Sequence, residues 1–423
     1  MAFHIQDRPA VPALRSPSTA PALSGPRQPA LLNVATTTHL FAGGCGDLLG
    51  FSAAGYEPVF AANHAQAAID TVQANFPAVA HPRCDINNLD FRHIPRSRVL
   101  VGSPICKEAS PAGRNSTASQ QAAGGAARTG QWSRTRATAW GLIRAAEVHD
   151  YDVVCGENVP DFATRWAPFE PWLNVWDALG YNIDIASVNA AHIAGEGNEA
   201  APQHRNRILF AFTKKGLPRP DLQPRPESMC RTCGPVQGVQ VWAKRFEQTG
   251  ARRVGIYGKQ YRYACPNVRC EAVVEPVTRP IRDHIDLALP GRRFRDGRAN
   301  CKKFTPYRPE TRRKVTIGLE RFHGEPFIAI LRNHCTVQSL GEPIGAITAE
   351  GNHHLLVQPS RSRTVDDCDV QMISLRTKAR AQRFPDTHAF QGTTAADLTR
   401  QVGNAVPVNA ASWLAERLQP SLN

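Results

Sequence analysis

Residues 40–46, Leu-Phe-Ala-Gly-Gly-Cys-Gly, join an apolar run that predicts a β-strand to an amphipathic stretch that predicts a helix from about Leu48. A glycine-rich turn in this position lets backbone amides approach a ligand at the N-terminus of the helix. Turns of this kind bind nucleotides or nucleosides. The same composition also occurs in sharp turns that bind nothing, so the neighbouring motifs must decide between the two interpretations.

Outward from this turn, short apolar runs alternate with amphipathic stretches from Asn33 to about Lys215. The runs predict strands at residues 59–62, 99–102 and 151–155, and the amphipathic pattern predicts a helix over residues 136–148 and another through Trp413 and Leu418. A strand followed by a helix, repeated along the chain, indicates an α/β fold with a parallel sheet.

The length of 423 residues exceeds that of a usual single core, which favours two domains. Residues 1–30 are rich in Pro, Ala and Ser without periodicity, which predicts a disordered tail. After Lys215 the chain becomes richer in prolines, paired cysteines and basic clusters. We therefore predict a catalytic domain over residues 31–215, completed by residues 390–423, and a smaller domain over residues 216–389.

The chain is basic, with 50 Lys and Arg against 36 Asp and Glu and a formal net charge of +14. This balance favours a polyanionic partner, with nucleic acid as the first candidate, although it is also compatible with a solubility feature. The sequence has no secretory signal pattern and no apolar run of membrane-spanning length, which predicts a cytosolic protein. Its eleven cysteines then argue against a disulfide framework and leave catalysis and metal binding.

Four further segments carry residue types that suit chemistry. Residues 101–106 read Val-Gly-Ser-Pro-Ile-Cys, residues 157–159 Glu-Asn-Val, residues 203–207 Gln-His-Arg-Asn-Arg, and residues 401–407 Gln-Val-Gly-Asn-Ala-Val-Pro. A lone intracellular cysteine is usually only a small buried hydrophobe. In this order, however, the glycine-rich turn suits a cofactor loop, and the first three of these segments suit a nucleophile, an acid and an anion clamp.

With these five motifs in this order, the chain resembles the DNA (cytosine-5)-methyltransferases over residues 33–215 and from 340 to the end. The resemblance implies a Rossmann-like, S-adenosylmethionine-dependent methyltransferase sheet with a smaller, irregular target-recognition domain. It also implies double-stranded DNA as the partner. The target cytosine would be flipped out of the duplex so that the enzyme can reach it.

By this resemblance Cys106 supplies a thiolate that adds to carbon 6 of cytosine and makes carbon 5 electron-rich. Glu157 is the acid at the N3 and N4 edge of the base, where negative charge develops. Arg207 is placed near the O2 atom, and both Arg205 and Arg207 support catalysis. The alternatives are a pair of surface charges and, chiefly for Arg205, a structural ion pair.

The resemblance implies S-adenosylmethionine as the methyl donor. Its expected contacts are Phe41, Gly43, Gly46, Asn63, Asp85, Asn404 and Val406. Asp85 is expected near the adenine, and Asn404 and Val406 near the methionine end.

The sequence departs from the family pattern at five positions. His39 stands for an acidic residue before the loop, Cys45 for a glycine, and Asn63 for a glutamate that binds the ribose hydroxyls. An amide can accept one of these hydrogen bonds without charge assistance, so weaker cofactor binding is expected. Ile105 and Lys107 replace a proline and a glutamine beside Cys106. The ammonium of Lys107 favours the thiolate, whereas the loss of the proline loosens the loop.

Four cysteines between residues 216 and 389 form two pairs, Cys230 with Cys233 and Cys265 with Cys270. Four thiolates suit tetrahedral zinc, and a small loop-rich module gains stability from the metal. The alternative is a group of four buried thiols. By position the module belongs to the target-recognition region. Its basic residues Lys244, Arg252, Arg253 and Lys259 are candidates for phosphate contacts or for solvated charges.

The sequence thus predicts a monomeric methyltransferase that acts on carbon 5 of cytosine in duplex DNA. Two alternatives remain at this level. One is an RNA cytosine methyltransferase on the same scaffold, because thiol addition does not distinguish the polymers. The other is a DNA-binding regulator that has lost turnover, which His39, Asn63 and Ile105 suggest. A cognate restriction endonuclease is a conceivable partner, and an orphan or phage protective role is equally compatible with the sequence.

Overall fold

The computed structural model describes residues 34–105, 133–244, 253–299, 301, 303–332, 337–349 and 352–423, with residues 133–136 described only as backbone. Residues Ala35–Asn423 form one compact unit. The tail predicted for residues 1–30 lies outside the described residues.

The strands of the described chain are β1 (Thr36–Leu40), β2 (Glu57–Ala62), β3 (Val99–Gly102), β4 (Val153–Asn158), β5 (Tyr181–Asn189), β6 (Gln203–His204), β7 (Asn206–Lys214), β8 (Glu227–Cys230), β9 (Gly234–Gln237), β10 (Val239–Trp242), β11 (Tyr261–Ala264), β12 (Val273–Pro276), β13 (Arg292–Arg293), β14 (Phe327–Ile330), β15 (Val337–Ser339), β16 (Ile344–Gly345), β17 (His354–Gln358) and β18 (Asp369–Met372). Its helices are α1 (Gly46–Ala53), α2 (Gln66–Asn75), α3 (Ser133–His149), α4 (Pro160–Arg165), α5 (Phe169–Ala178), α6 (Pro309–Phe322), α7 (Leu375–Arg380), α8 (Ala395–Asn404) and α9 (Val408–Leu418). The strands and helices predicted from hydrophobic patterning are all present.

The central sheet has six strands in the order β2-β1-β3-β4-β7-β5. Strands β2, β1, β3 and β4 pair in parallel, whereas β7 is antiparallel to both β4 and β5. The α/β class and the Rossmann-like sheet are therefore confirmed, but the prediction of a parallel sheet is wrong at β7. No α-helix lies between β5 and β7, so the chain has no crossover that could bring β7 back parallel.

Each face of the central sheet is covered by apolar side chains. On one face α5 contributes Trp172 and Trp176, which pack with Phe210 and Phe212 of β7. On the other face α9 contributes Trp413 and packs against α1. Fully buried large aromatic side chains each stabilise the fold by roughly 2–3 kcal/mol. Strand β3, Val-Leu-Val-Gly, is a nearly continuous apolar run because both of its faces are buried.

Two smaller sheets follow in the chain. One, in the order β10-β11-β12-β8-β9, carries Cys230 at the end of β8 and the other three cysteines in the turns beside its strands. The other, in the order β13-β18-β17-β14-β15, is covered by α6, where a Cβ at Gly318 would lie 2.0 Å from the ring of Phe327. Strand β16 pairs in parallel with β6, which precedes β7 in the chain. None of the helices in the described ranges is long and apolar enough to cross a bilayer.

Candidate active site

The carboxyl ends of the four parallel strands define one edge of the central sheet. Phe41 follows β1, Asn63 follows β2, and Ser103 follows β3. Glu157 is the second-to-last residue of β4. Because β7 runs in the opposite direction, its first residues reach the same edge, where Ile208 pairs with Asn158. Ligands of open α/β sheets bind outside the carboxyl ends of the strands. The topology therefore gathers the predicted residues of four motifs at a ligand-binding edge.

The glycine-rich loop between β1 and α1 is shaped by close backbone contacts. Phe41 and Cys45 both have φ of 65°, in the left-handed region. A Cβ at Gly46 would lie 1.9 Å from the carbonyl oxygen of Val406, so only glycine fits there. A Cβ at Gly43, by contrast, would meet nothing within 4 Å. Gly46 is thus fixed by packing, whereas Gly43 faces open space.

The N-terminus of α1 has no side-chain cap, since Cys45 occupies the N-cap position without a capping hydrogen bond. Uncapped amides of a first helical turn are donors for an anionic or polar ligand. Burial raises the pKa of the Cys45 thiol, an effect to which nearby Asp47 adds, so this cysteine is an unreactive core residue.

His39 joins the first strand to the first helix beneath the loop. It is fully buried, and its Nδ1 lies 2.8 Å from Asp47 Oδ2, while its Nε2 lies 2.8 Å from Thr37 Oγ1. A histidine at this position therefore uses both ring nitrogens within the protein. Although His39 departs from the family pattern, each of its ring nitrogens has a partner at the base of the loop.

Asn63, at the position expected to bind ribose, holds backbone groups on both sides. Its Nδ2 donates to the carbonyl of Ala42 at 2.7 Å, and its Oδ1 accepts from the amide of Ala65 at 2.9 Å. A glutamate could not donate the first of these bonds. Asp85, which is exposed, accepts from the amide and side chain of Asn87 at 3.0 and 2.9 Å. Both residues shape turns at the ligand-binding edge.

The segment after α8 lies against the glycine-rich loop. The carbonyl of Val406 contacts Gly46, and the carbonyl of Gln401 would lie 3.1 Å from a Cβ at Gly44. Asn404 is exposed at the end of α8, and Val406 is half-buried. The structure thus brings the two predicted cofactor-binding segments together, although the chain separates them by more than 300 residues.

Glu157 and Arg207 form an ion pair at the sheet edge. Arg207 Nε lies 2.8 Å from Glu157 Oε2, and the two side chains are 14% and 9% exposed. Neither atom has a hydrogen bond of good geometry within the described chain, although Arg207 Nη1 donates to the carbonyl of Asn206 at 2.8 Å. The pair is therefore held by charge, with hydrogen-bonding capacity left for a ligand.

Cys106 and Lys107 lie outside the described residues, but the loop that leads to them is tied to β4. Ser103 Oγ accepts from the amide of Glu157 at 3.2 Å, and the carbonyl of Pro104 accepts from Asn158 Nδ2 at 3.0 Å. The amide of Ile105 donates to Thr138 Oγ1 at 3.0 Å. These bonds place the residues before Cys106 directly beside Glu157.

The side chain of Arg205 has different partners from that of Arg207. It is 2% exposed, and its guanidinium donates to the carbonyls of Ile347 at 2.8 Å, Gly403 at 2.8 Å and Ala405 at 3.0 Å. The described bonds therefore join three backbone segments, which favours a structural role. The catalytic role of Arg205 stays a prediction.

Several residues at this edge were not singled out from the sequence. Gln203 is fully buried and accepts from the amide of Ile347 at 3.3 Å, and Thr138 and Ser103 fix the loop before Cys106. Gln203 and Ser103 lie inside the motifs at residues 203–207 and 101–106. Their place in these motifs was the sequence signal that could have identified them. Thr138 had no such signal, because it is one of two threonines in a helix and lies in none of the motifs.

The four predicted cysteine ligands meet in one cluster. The Sγ atoms of Cys230, Cys233, Cys265 and Cys270 all lie within 4.8 Å of one another, and those of Cys230 and Cys270 are 3.6 Å apart. A tetrahedral zinc with bonds of about 2.3 Å separates its sulfurs by about 3.8 Å. Cys233 is exposed and Cys270 half-buried, which argues against a group of four buried thiols. The cluster has the donor set of a structural zinc site.

The basic residues beside this cluster are exposed where they are described. Lys244, Arg253 and Lys259 are in contact with solvent, and Arg252 lies outside the described residues. Their exposure is compatible with phosphate contacts and with solvated charges alike.

Known proteins that are similar to this chain include methyltransferases. In the Staphylococcus aureus protein Type II methyltransferase M.Sau96I, 72 residues are 40% identical to this chain, and the match covers 16% of each protein. A prophage-encoded E. coli protein proposed to be a DNA modification methyltransferase has the same fold, with a TM-score of 0.52 and 16% identity over 92% of this chain and 99% of that one. The S. pombe Dnmt2 methyltransferase superposes with a TM-score of 0.55 and 14% identity over 92% of this chain and all of that one.

The family model for the C-5 cytosine-specific DNA methylase matches residues 35–249 and 297–420. These ranges include every described residue named above at the sheet edge, in the glycine-rich loop and in the segment that contacts this loop. The chain therefore belongs to the C-5 cytosine-specific DNA methylase family.

Proposed function

We propose that the protein transfers a methyl group from S-adenosylmethionine to carbon 5 of cytosine within a specific sequence of double-stranded DNA. The observation that carries the proposal is the nearly buried ion pair of Glu157 and Arg207, beside the loop that leads into Cys106. An acid and an arginine at the end of a thiol-bearing loop suit covalent activation of a pyrimidine ring.

The proposed reaction begins when the thiolate of Cys106 adds to carbon 6, which forms a sulfur–carbon bond and moves the π electrons toward carbon 5 and N3. Glu157 supplies a proton at N3 and thereby stabilises this charge. Arg207 holds the carboxyl group of Glu157 and lies near the O2 atom. Bound S-adenosylmethionine supplies an electrophilic methyl group. Once carbon 5 carries the methyl group, it loses its proton to water, the Cys106 thiolate is expelled, and N3 returns its proton to Glu157, which restores the aromatic ring.

We place the cofactor against the loop of residues 41–46. The support for this placement is the open space at Gly43 and the uncapped start of α1. Phe41 and Gly46 complete the loop side of the site. Asn404 and Val406, carried by the segment against the loop, serve the methionine end.

On the far side of the loop, Asp85 serves the adenine and Asn63 the ribose in this proposal. Asn63 contributes two hydrogen bonds at most in addition to its backbone contacts, because one N–H group and one oxygen lone pair of its amide already have partners.

The DNA substrate is supported by the family, by the net charge of +14 and by the Type II methyltransferase relative. We assign residues 31–215 and 390–423 to catalysis and residues 216–389 to target recognition, with zinc held by the four cysteines. A DNA substrate would place the protein in the bacterial or phage-infected cytoplasm.

The deciding experiment maps 5-methylcytosine at base resolution in DNA from methylation-deficient bacteria that express the protein. Wild type and Cys301→Ser, which removes an exposed cysteine, should methylate one sequence context, whereas Cys106→Ser should methylate none. RNA from the same cells is mapped in parallel. Methylation found in RNA and not in DNA would identify RNA as the substrate. A folded wild type that methylates neither polymer and forms no adduct with 5-fluorocytosine DNA would overturn the proposal.

A further inference from the structure

The sheet that carries the four cysteines is attached to the active-site end of the central sheet. We name its described residues, 227–244 and 253–276, the four-cysteine module. Gln240 Nε2 donates to the carbonyl of Ser187 at 2.7 Å, and the amide of Gly255 donates to Ser187 Oγ at 3.0 Å. Ser187 lies on β5 opposite Ile208, one position from the Val188 and Arg207 pair. The module therefore contacts β5, the strand that pairs with the one carrying Arg207.

An aromatic cluster extends this attachment toward the cysteines. The ring of His192 meets that of Tyr257 edge-on, with centroids 4.4 Å apart, and lies 5.7 Å from that of Tyr263. Tyr263 is fully buried on β11, two residues before Cys265. Burial lowers the pKa of His192 to about 3, so its ring packs as a neutral group. A metal that fixes Cys265 would thus also fix the strand that packs on His192.

Asn206 joins the module to Arg207. Its Oδ1 accepts from the amide of Tyr257 at 3.1 Å and from Asn189 Nδ2 at 3.4 Å. Its backbone carbonyl accepts from Arg207 Nη1 at 2.8 Å. One residue thus receives hydrogen bonds from the module on one side and from the arginine that pairs with Glu157 on the other.

We propose that Asn206 is a positioning residue through which the zinc-bound four-cysteine module holds Arg207 in place beside Glu157. The zinc site then supports catalysis as well as target recognition. The physical coupling follows from the contacts alone, and only its consequence for turnover rests on the proposed methyltransferase function.

The first test follows backbone hydrogen exchange in the full chain. Elemental analysis should find one zinc per chain in wild type and in Asn206→Ala. In zinc-loaded protein, Asn206→Ala should raise exchange at residues 187–189 and 206–208 by roughly tenfold and leave residues 36–40 unchanged. Chelation of zinc should raise exchange at the same residues in wild type. A wild type that binds no zinc, or unchanged exchange at residues 206–208 in Asn206→Ala, would overturn the proposal.

The second test separates positioning from folding by turnover. Asn206→Ala should lower kcat per active site, counted by 5-fluorocytosine trapping, by roughly tenfold, with KM for DNA within about twofold of wild type. Asn206→Asp keeps an acceptor oxygen for Tyr257 and should restore most of kcat. The matched control is Asn182→Ala, at the other end of β5.

Equal losses in Asn206→Ala and Asn206→Asp would refute the hydrogen-bond route. A wild type without methylation activity would refute the proposed function. The hydrogen-exchange experiment would still decide whether the four-cysteine module is coupled to Arg207.

Discussion

Arg205 and Gly403, which lie 198 residues apart in the chain, are joined by a hydrogen bond of 2.8 Å from Nη2 to the backbone carbonyl. The same guanidinium reaches Ala405 and Ile347. One buried side chain therefore fixes the segment that lies against the cofactor loop. This arrangement makes Arg205 and Arg207, two positions apart in one motif, separable by experiment.

Arg205→Met should destabilise the fold by roughly 2–4 kcal/mol, because it leaves buried carbonyls without their charged donor. Urea denaturation measures this change. It should also weaken S-adenosylmethionine binding, because Asn404 and Val406 lose their support. The exposed Arg219→Met should change the unfolding free energy by no more than about 0.5 kcal/mol. An Arg205→Met protein of wild-type stability that has lost only kcat would instead make Arg205 a catalytic residue.

Gly46→Ala and Gly43→Ala form a matched pair for the loop. At Gly46 the added methyl would overlap the Val406 carbonyl, so we expect a loss of about 3 kcal/mol or more, read as a lower denaturation temperature. At Gly43 the space is open, so stability should stay within about 1 kcal/mol of wild type. Calorimetry should nevertheless show weaker S-adenosylmethionine binding in Gly43→Ala. Unchanged affinity would argue that the cofactor does not approach Gly43.

Glu157→Gln should lower kcat by roughly 10²- to 10³-fold, because the amide cannot donate a proton to the base. Transfer of a radioactive methyl group to DNA measures the effect. Glu147→Gln, an exposed position on α3, serves as the control and should keep wild-type activity. A Glu157→Gln enzyme with more than about half of wild-type kcat would exclude Glu157 as the acid.

Stability should fall as the pH drops below about 6.5. Burial lowers the pKa of His192 and of His354 to about 3, and that of His388 to about 4. Above pH 6.5 these rings are neutral in the folded and unfolded chain alike, whereas below it only the unfolded chain takes up protons. Each histidine therefore lowers the unfolding free energy by up to about 1.4 kcal/mol per pH unit, until its folded pKa is reached.

The measurement is the unfolding free energy at pH 7 and pH 5 for wild type and His388→Leu. The wild type should lose roughly 2 kcal/mol more than the variant over this range, since the variant lacks one titrating ring. Equal losses of unfolding free energy in the two proteins would mean that His388 has the same pKa in the folded and unfolded chain. The comparison cancels the carboxyl groups, which are common to both proteins.

Hydrophobic patterning predicts the strands and helices of residues 33–215 because their faces are buried in regular ways. It fails at the direction of β7, which depends on what connects β5 to β7 rather than on either strand. The pairing of Glu157 with Arg207 follows from that direction, because an antiparallel β7 begins at the edge where β4 ends.

The separation of Arg205 from Arg207 could not be predicted from their spacing. Their alternation places both on one side of a regular strand, but β6 ends at His204 and β7 begins at Asn206, so Arg205 lies in the break between them. Its partners are backbone carbonyls, which every residue possesses and which carry no sequence signal. The four cysteines, in contrast, were predictable as a group because their side-chain type and paired spacing are both specific.

The contact of Gly46 with Val406 and that of Gly50 with Ala411 have a consequence for biosynthesis. The loop at residues 41–46 cannot complete its contacts until Val406, which supplies the opposing backbone, has left the ribosome. Under the proposed function, a nascent chain would therefore carry Cys106 long before the proposed cofactor site is complete. Translation that stops before Val406 would leave a chain without the backbone that closes this site.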